Sequence, residues 1–125
     1  MTGVQTCALP IWFIDIYGYP HCRGRIFDAI EEDQGQYDDV RRVFWCCGVA
    51  MFLRREVLEK VGYLDEVMFS YAEETDLSWR INLAGYEQYV VPQSVVYHLG
   101  SGAWGNKRLQ SRKDYLLHRN HWMIL

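Results

Sequence analysis

Val43 to Leu53 reads V-F-W-C-C-G-V-A-M-F-L, apolar throughout except for Gly48. A run of this kind cannot be left facing water on both sides, so the rest of the chain has to cover it. Its length and its β-branched and aromatic content fit one or two buried strand segments, broken at Gly48. Two amphipathic stretches follow. Arg54 to Val61 carries Val57, Leu58 and Val61 on one side, and Gly62 stands where a helix-ending glycine belongs. Glu74 to Ala84 has the stripe Leu77, Ile81 and Ala84, with Gly85 as its stop. Asp76 and Arg80 lie four apart on that helix and can pair, worth about 0.2–0.5 kcal/mol. Tyr86 to Val91 reads as a strand ending at Pro92, and Ser94 to His98 as a second extended segment. Upstream, residues 13 to 42 are loop-rich, with a short helix expected near Arg25 to Ile30. Gly100, Gly102 and Gly105 make a flexible loop, after which Ser111 is expected to cap a helix bearing Tyr115, Leu116 and Leu117. This order of elements gives an α/β domain with helices packed on a mixed sheet.

At 125 residues and 50% hydrophobic, the chain has material for one modest core and is not a disordered one. The net charge of −3 gives no electrostatic case for nucleic acid as a partner. Charge is nonetheless uneven. Asp28, Glu31, Glu32, Asp33, Asp38 and Asp39 form an acidic stretch read as a solvated loop. Lys107, Arg108, Arg112, Lys113 and Arg119 form a basic one, either a solvated helix face or an attraction for a phosphorylated ligand. No segment reaches the roughly 18 apolar residues of a membrane span. The apolar end, His121 to Leu125, suggests a cut there and leaves room for a later membrane segment or peripheral association. The four cysteines lack C-x-x-C spacing, which argues against zinc. Cys46 and Cys47 are expected to be small buried side chains in a reducing, cytoplasmic compartment.

The stretch Tyr71 to Arg80, Y-A-E-E-T-D-L-S-W-R, concentrates the chemistry. Glu73, Glu74 and Asp76 stand at the mouth of a helix, whose N-terminus favours negative charge. A carboxylate kept ionised at the edge of a cleft can act as a general base. Carboxylates are also common in first helical turns, where they merely satisfy backbone N–H groups.

Residues Phe44 to His98 resemble the C-terminal half of family 2 glycosyltransferases, which have the GT-A fold. The resemblance is carried in order by Phe44-Trp45-Cys46-Cys47-Gly48-Val49-Ala50, then Arg54-Arg55-Glu56-Val57 and Val61-Gly62-Tyr63-Leu64-Asp65-Glu66 ("RRE…GGFDE"). Phe69 to Arg80 ("FxYxEDxDLxWR"), Ala84-Gly85-Tyr86, Val91-Pro92, Val95 to His98, and His118-Arg119-Asn120 follow. Tyr17 to Tyr37 resembles an insert of one bacterial branch. The resemblance implies an inverting transfer of a sugar from a nucleotide-diphosphate donor to a hydroxyl on a glycan or lipid-linked acceptor. It places the base on Glu74, a Glu where the family has Asp, so that either the acceptor sits slightly farther back or Glu73 shares the role. It implies a substrate-binding set of Trp45, Gly48, Asp76, Arg80, Lys107, Arg108 and Arg112. Within that set Asp76 is expected to orient Arg80 or cap the helix, and Trp45, like Trp79, to be core or to stack on a sugar. Lys107, Arg108 and Arg112 are expected to neutralise the leaving diphosphate. Asp65 is read as a turn or cap residue. His98 is either structural or, as the resemblance implies, a metal ligand or a contact to the donor diphosphate.

The resemblance further implies a divalent cation, Mg or Mn, in the parent enzyme, held by a D-x-D motif that this sequence lacks. The nucleotide-binding half that carries the motif is expected to be missing. Met1 to Ile11, M-T-G-V-Q-T-C-A-L-P-I, resembles a translated sequencing-library adapter, so residues 12–125 are taken as the biological part, a C-terminal portion of one partial GT-A domain. The 125-residue chain by itself is therefore expected to be inactive and to bind a nucleotide sugar poorly; micromolar affinity in a titration would overturn that expectation. The alternative is a non-catalytic carbohydrate-binding or scaffolding domain of the same fold.

Overall fold

A computed structural model describes residues 4–6, 12–18, 20–26, 29–99 and 107–124. The strands, in chain order, are β1 (Val4–Thr6), β2 (Trp12–Ile14), β3 (Pro20–Cys22), β4 (Arg25–Ile26), β5 (Ala29–Ile30) and β6 (Arg41–Val43). Helices α1 (Arg55–Val61) and α2 (Glu73–Leu83) follow, then β7 (Gln88–Val90), β8 (Tyr97–Leu99) and α3 (Lys107–Ile124). Each described strand pairs antiparallel with one partner: β1 with β8, β2 with β3, β4 with β5, and β6 with β7. The described residues thus form four two-stranded ladders in place of one mixed sheet. Val4–Thr6, inside the adapter-like segment, pairs with the strand that carries His98.

The core is built where the helical stripes predicted it. Leu77 and Ile81 are 0% and 2% exposed, and with Val57 they pack against Met51, Leu58, Val61 and Tyr86. Burial of each such side chain stabilises by about 1.5–3 kcal/mol. Gly62 ends α1 at φ 87°, where a side chain would be strained, and its N–H closes on the Leu58 carbonyl. A second cluster holds Tyr37 and Val43, with Phe13, Cys46 and Val90 around them. Tyr37 thus inserts into the fold from a stretch that is otherwise exposed, as expected of an acidic loop.

Three local expectations are corrected. The apolar run 43–53 is not a strand beyond Val43; it breaks into a 3-10 turn at Gly48–Ala50, and Phe52 is 91% exposed. The physical reason lies at the Phe44 carbonyl. It accepts from Asn82 Nδ2 and from Gln88 Nε2, both at 2.7 Å, so side-chain amides replace a neighbouring strand. Cys46 and Cys47 are consequently half-buried instead of core. In place of the expected helix, Arg25–Ile26 and Ala29–Ile30 pair as antiparallel strands. Gly24, at φ 70°, lies in the turn between β3 and β4, and its carbonyl accepts from the Glu31 N–H, extending the pairing of β4 with β5 by one bond. Finally, α3 starts at Lys107, so Ser111 lies inside the helix and caps nothing; residues 107–110 are mostly strong helix formers. The predicted glycine loop at 100–105 lies outside the described residues.

Candidate active site

α2 begins at Glu73, so Glu73, Glu74 and Asp76 all stand in its first turn, at the positive end of the helix dipole. The chain enters this helix through unusual backbone. Phe69, Tyr71 and Ala72 have φ of 61°, 70° and 69°. Such conformations cost a non-glycine residue about 1–3 kcal/mol each and persist only where their surroundings enforce them.

Glu74 lines a cleft of about 530 Å³ between α2, α3 and the segment around Trp45. Trp45, Trp79 and Trp122 share that lining with Tyr71, His118 and His121. Aromatic faces of this kind give apolar area and rigid edges to a sugar-sized ligand. Burial pushes the Glu74 carboxyl above its usual range, because the cleft wall disfavours the charged form. Backbone N–H groups of Glu74 itself and of Gly48 oppose the shift, whereas the charge of Glu73 and a hydrogen bond shared with it add to it. Among the described residues, Glu73 and Glu74 each keep one buried carboxyl oxygen with no hydrogen-bond partner. Such an acceptor is costly to leave empty, and a ligand hydroxyl would satisfy it. Gly48 approaches Glu74 closely; a Cβ there would sit 3.8 Å from the Glu74 Cδ. A second cleft, of about 360 Å³, lies on the other side of Trp45. Its lining, including Cys46, Cys47, Met51 and Tyr89, has no carboxylate or histidine.

The residues expected from the sequence divide accordingly. Glu74, Gly48 and Trp45 come together. Glu73 touches Glu74 but does not line the cleft. Asp76 and Arg80 pair with each other: Arg80 Nη2 and Nε donate to Asp76 Oδ2 at 2.7 and 3.0 Å. Arg80 also donates to the carbonyls of Val61 and Tyr63, tying α2 to the end of α1 and away from the cleft lining. Asp65 caps the 3-10 turn Glu66–Met68, accepting from the Val67 N–H. Arg112 stacks over the Phe69 ring at 5.6 Å and does not line the cleft. His98 sits in β8, opposite Gln5, and is likewise not part of the lining. The side chains of Lys107 and Arg108 lie outside the described residues.

Sequence reasoning did not single out His118, His121 and Trp122 as cleft residues. Their signal is the spacing of three and four, which puts them on one side of a helix. Among the described residues, no three His, Cys, Asp or Glu side chains converge as a metal site.

Residues 26–123 match the family model for glycosyl transferase family group 2. The chain belongs to that family. Among curated proteins, N-acetylglucosaminyl-diphospho-decaprenol L-rhamnosyltransferase of Mycobacterium tuberculosis is similar to it. The two forms, from strains CDC 1551 / Oshkosh and ATCC 25618 / H37Rv, are each 38% identical over 58 residues. That match covers 46% of this chain and 19% of the relative's length. No solved structure is significantly similar to it. No helix among the described residues is long and apolar enough to cross a membrane.

Proposed function

We propose that this chain supplies the acceptor side of an inverting glycosyltransferase, with Glu74 as the general base. The observation that carries the reading is the position of Glu74 alone of the carboxylate pair on the lining of a tryptophan-walled cleft. The acceptor hydroxyl is a weak nucleophile at neutral pH. As its oxygen attacks the anomeric carbon of the donor sugar, its proton passes to a Glu74 carboxylate oxygen, and the bond to the donor diphosphate breaks. A raised Glu74 pKa suits this task, since it makes the ionised form a stronger base near neutral pH. Glu73 shares the proton with Glu74 without reaching the substrate, a supporting role in place of a second base. Trp45, Trp79 and Trp122 would hold the acceptor saccharide. The donor is a nucleotide-diphosphate sugar, bound mostly by parts of the complete enzyme outside this chain, which the 19% coverage of the relative leaves room for. No step is routed through a cation. From the name of the mycobacterial relative we extend to this chain a rhamnosyl group as the moiety moved and a diphospho-prenol-linked glycan as acceptor. Work at the inner face of the membrane follows from such an acceptor.

The test is transfer by the complete enzyme with Glu74→Gln and Glu73→Gln. Loss of a positioned base costs about 10²–10⁴-fold in kcat. Glu74→Gln is expected to lose that much, with the acceptor still bound, and Glu73→Gln far less. Unimpaired transfer by Glu74→Gln would sink the base assignment. Retained saccharide binding by a wild-type enzyme with no transfer would favour a carbohydrate-binding module, which the same tryptophan walls would also serve.

A further inference from the structure

Asn120, on α3, is fully buried at 0% exposure, although an amide is costly to bury without partners. Its partners are three backbone carbonyls of one short segment: Met68 at 2.9 Å, Ser70 at 2.9 Å and Tyr71 at 2.6 Å, all accepting from Nδ2. Two amide hydrogens serve three acceptors, so one is shared. Arg119 completes the arrangement. Its Nη2 donates to the carbonyls of Val67 and Met68 at 2.8 and 3.0 Å, and its Nε donates to Asn120 Oδ1 at 2.9 Å. That last bond fixes which way round the amide stands. The carbonyls it gathers flank the positive-φ residues Phe69, Tyr71 and Ala72, and the next residues are Glu73 and Glu74. Locally, the Phe69 and Ser70 N–H groups bond to the Glu66 and Met68 carbonyls at 3.1 and 2.7 Å, and α3 adds side-chain bonds to the same segment from about fifty positions away.

We infer that Asn120, oriented by Arg119, is a positioning residue: it holds the left-handed backbone before α2 and so sets where Glu74 stands in the cleft. The inference rests on the reading of Glu74 as base for its functional meaning, but not for its test. Without Asn120 the segment can relax towards ordinary backbone and carry the Glu74 carboxyl into water. The groups facing Glu74 are Glu73, the Gly48 N–H, Tyr71 and, from α3, His118 and His121. None of them is altered by the substitution.

The measurement is the titration midpoint of the Glu74 carboxyl by ¹³C NMR in the full chain. Asn120→Ala is made as a single substitution, so the left-handed strain at Phe69, Tyr71 and Ala72 stays in place to drive the relaxation. The midpoint is expected to fall by roughly half a pH unit or more as the carboxyl gains solvent. A folded Asn120→Ala variant with an unmoved midpoint overturns the inference. If that variant does not fold, Arg119→Gln takes its place, since it removes the flanking bonds and leaves Asn120. It should shift the midpoint in the same direction by less, and no shift again overturns the proposal. In the complete enzyme, kcat should fall about tenfold with KM little changed. A shifted midpoint with unchanged kcat would uphold the positioning and reject the base.

Discussion

Arg80→Met measures how much one side chain contributes to joining the two helices that frame the site. The guanidinium makes four bonds: two to Asp76 on its own helix, and one each to the carbonyls of Val61 and Tyr63. The Asp76 pair is partly exposed, at 29% and 22% of side-chain surface, and an (i, i+4) pair of this kind is worth about 0.3–0.5 kcal/mol. The carbonyl bonds weigh more. A hydrogen bond from a charged donor contributes about 1.5–3 kcal/mol, and partial exposure argues for the lower end at each. Arg80→Met should therefore cost about 3 kcal/mol, a large share of the roughly 5–15 kcal/mol typical of a domain. Asp76→Asn, which leaves an acceptor in place, should cost about 0.5 kcal/mol. Urea unfolding followed by tryptophan fluorescence reports both, with the m-value unchanged. The reasoning fails if Arg80→Met falls within 0.5 kcal/mol of the parent, or if Asp76→Asn costs as much as Arg80→Met.

Two further outcomes can be checked on the same chain. Ala72 holds a left-handed conformation at the start of α2 with no side-chain cap. Ala72→Gly should raise stability by about 0.5–1 kcal/mol, read from the urea midpoint, and a loss of stability would show that this backbone is unstrained. Glu74 has a folded pKa above its unfolded value, so its contribution to stability is fully present below the ordinary carboxylate pKa and is lost as pH rises through the folded one. Glu74→Gln, which cannot ionise, should thus gain stability relative to the parent between pH 4 and pH 7. A difference that stays constant over that range would mean the Glu74 carboxyl is not destabilised by burial.

The helices were legible because periodicity and punctuation agree. Leu77 and Ile81 are spaced for one face, Gly62 and Gly85 mark the stops, and Asp76 and Arg80 meet at the spacing that pairs side chains. Glu74 was legible for a related reason, through the acidic first turn of α2. What could not be read is the set of long-range bonds from side chains to backbone. Asn82 and Gln88 on the Phe44 carbonyl, Arg80 on Val61 and Tyr63, and Asn120 on the 68–71 segment span separations of 17 to 52 residues. Bonds of this kind leave no periodic trace. They also explain the misreading of residues 43–53, where apolar content implied a strand and side-chain amides took the strand's hydrogen bonds. His118 and His121 line the cleft from α3, which Arg119 and Asn120 bond to the segment before α2.

The most direct test of the account is the pH dependence of kcat/KM for glycosyl transfer by the complete enzyme, compared between the parent and Glu73→Gln. If Glu74 takes the acceptor proton, activity rises with pH as Glu74 ionises, and Glu74→Gln removes that limb. Glu73 holds the Glu74 pKa up by charge and by the shared hydrogen bond, so Glu73→Gln should move the limb to lower pH, while burial keeps it above the ordinary carboxylate range. A limb that stays in place in Glu73→Gln, or that survives in Glu74→Gln, would contradict the assignment of Glu74 as the base.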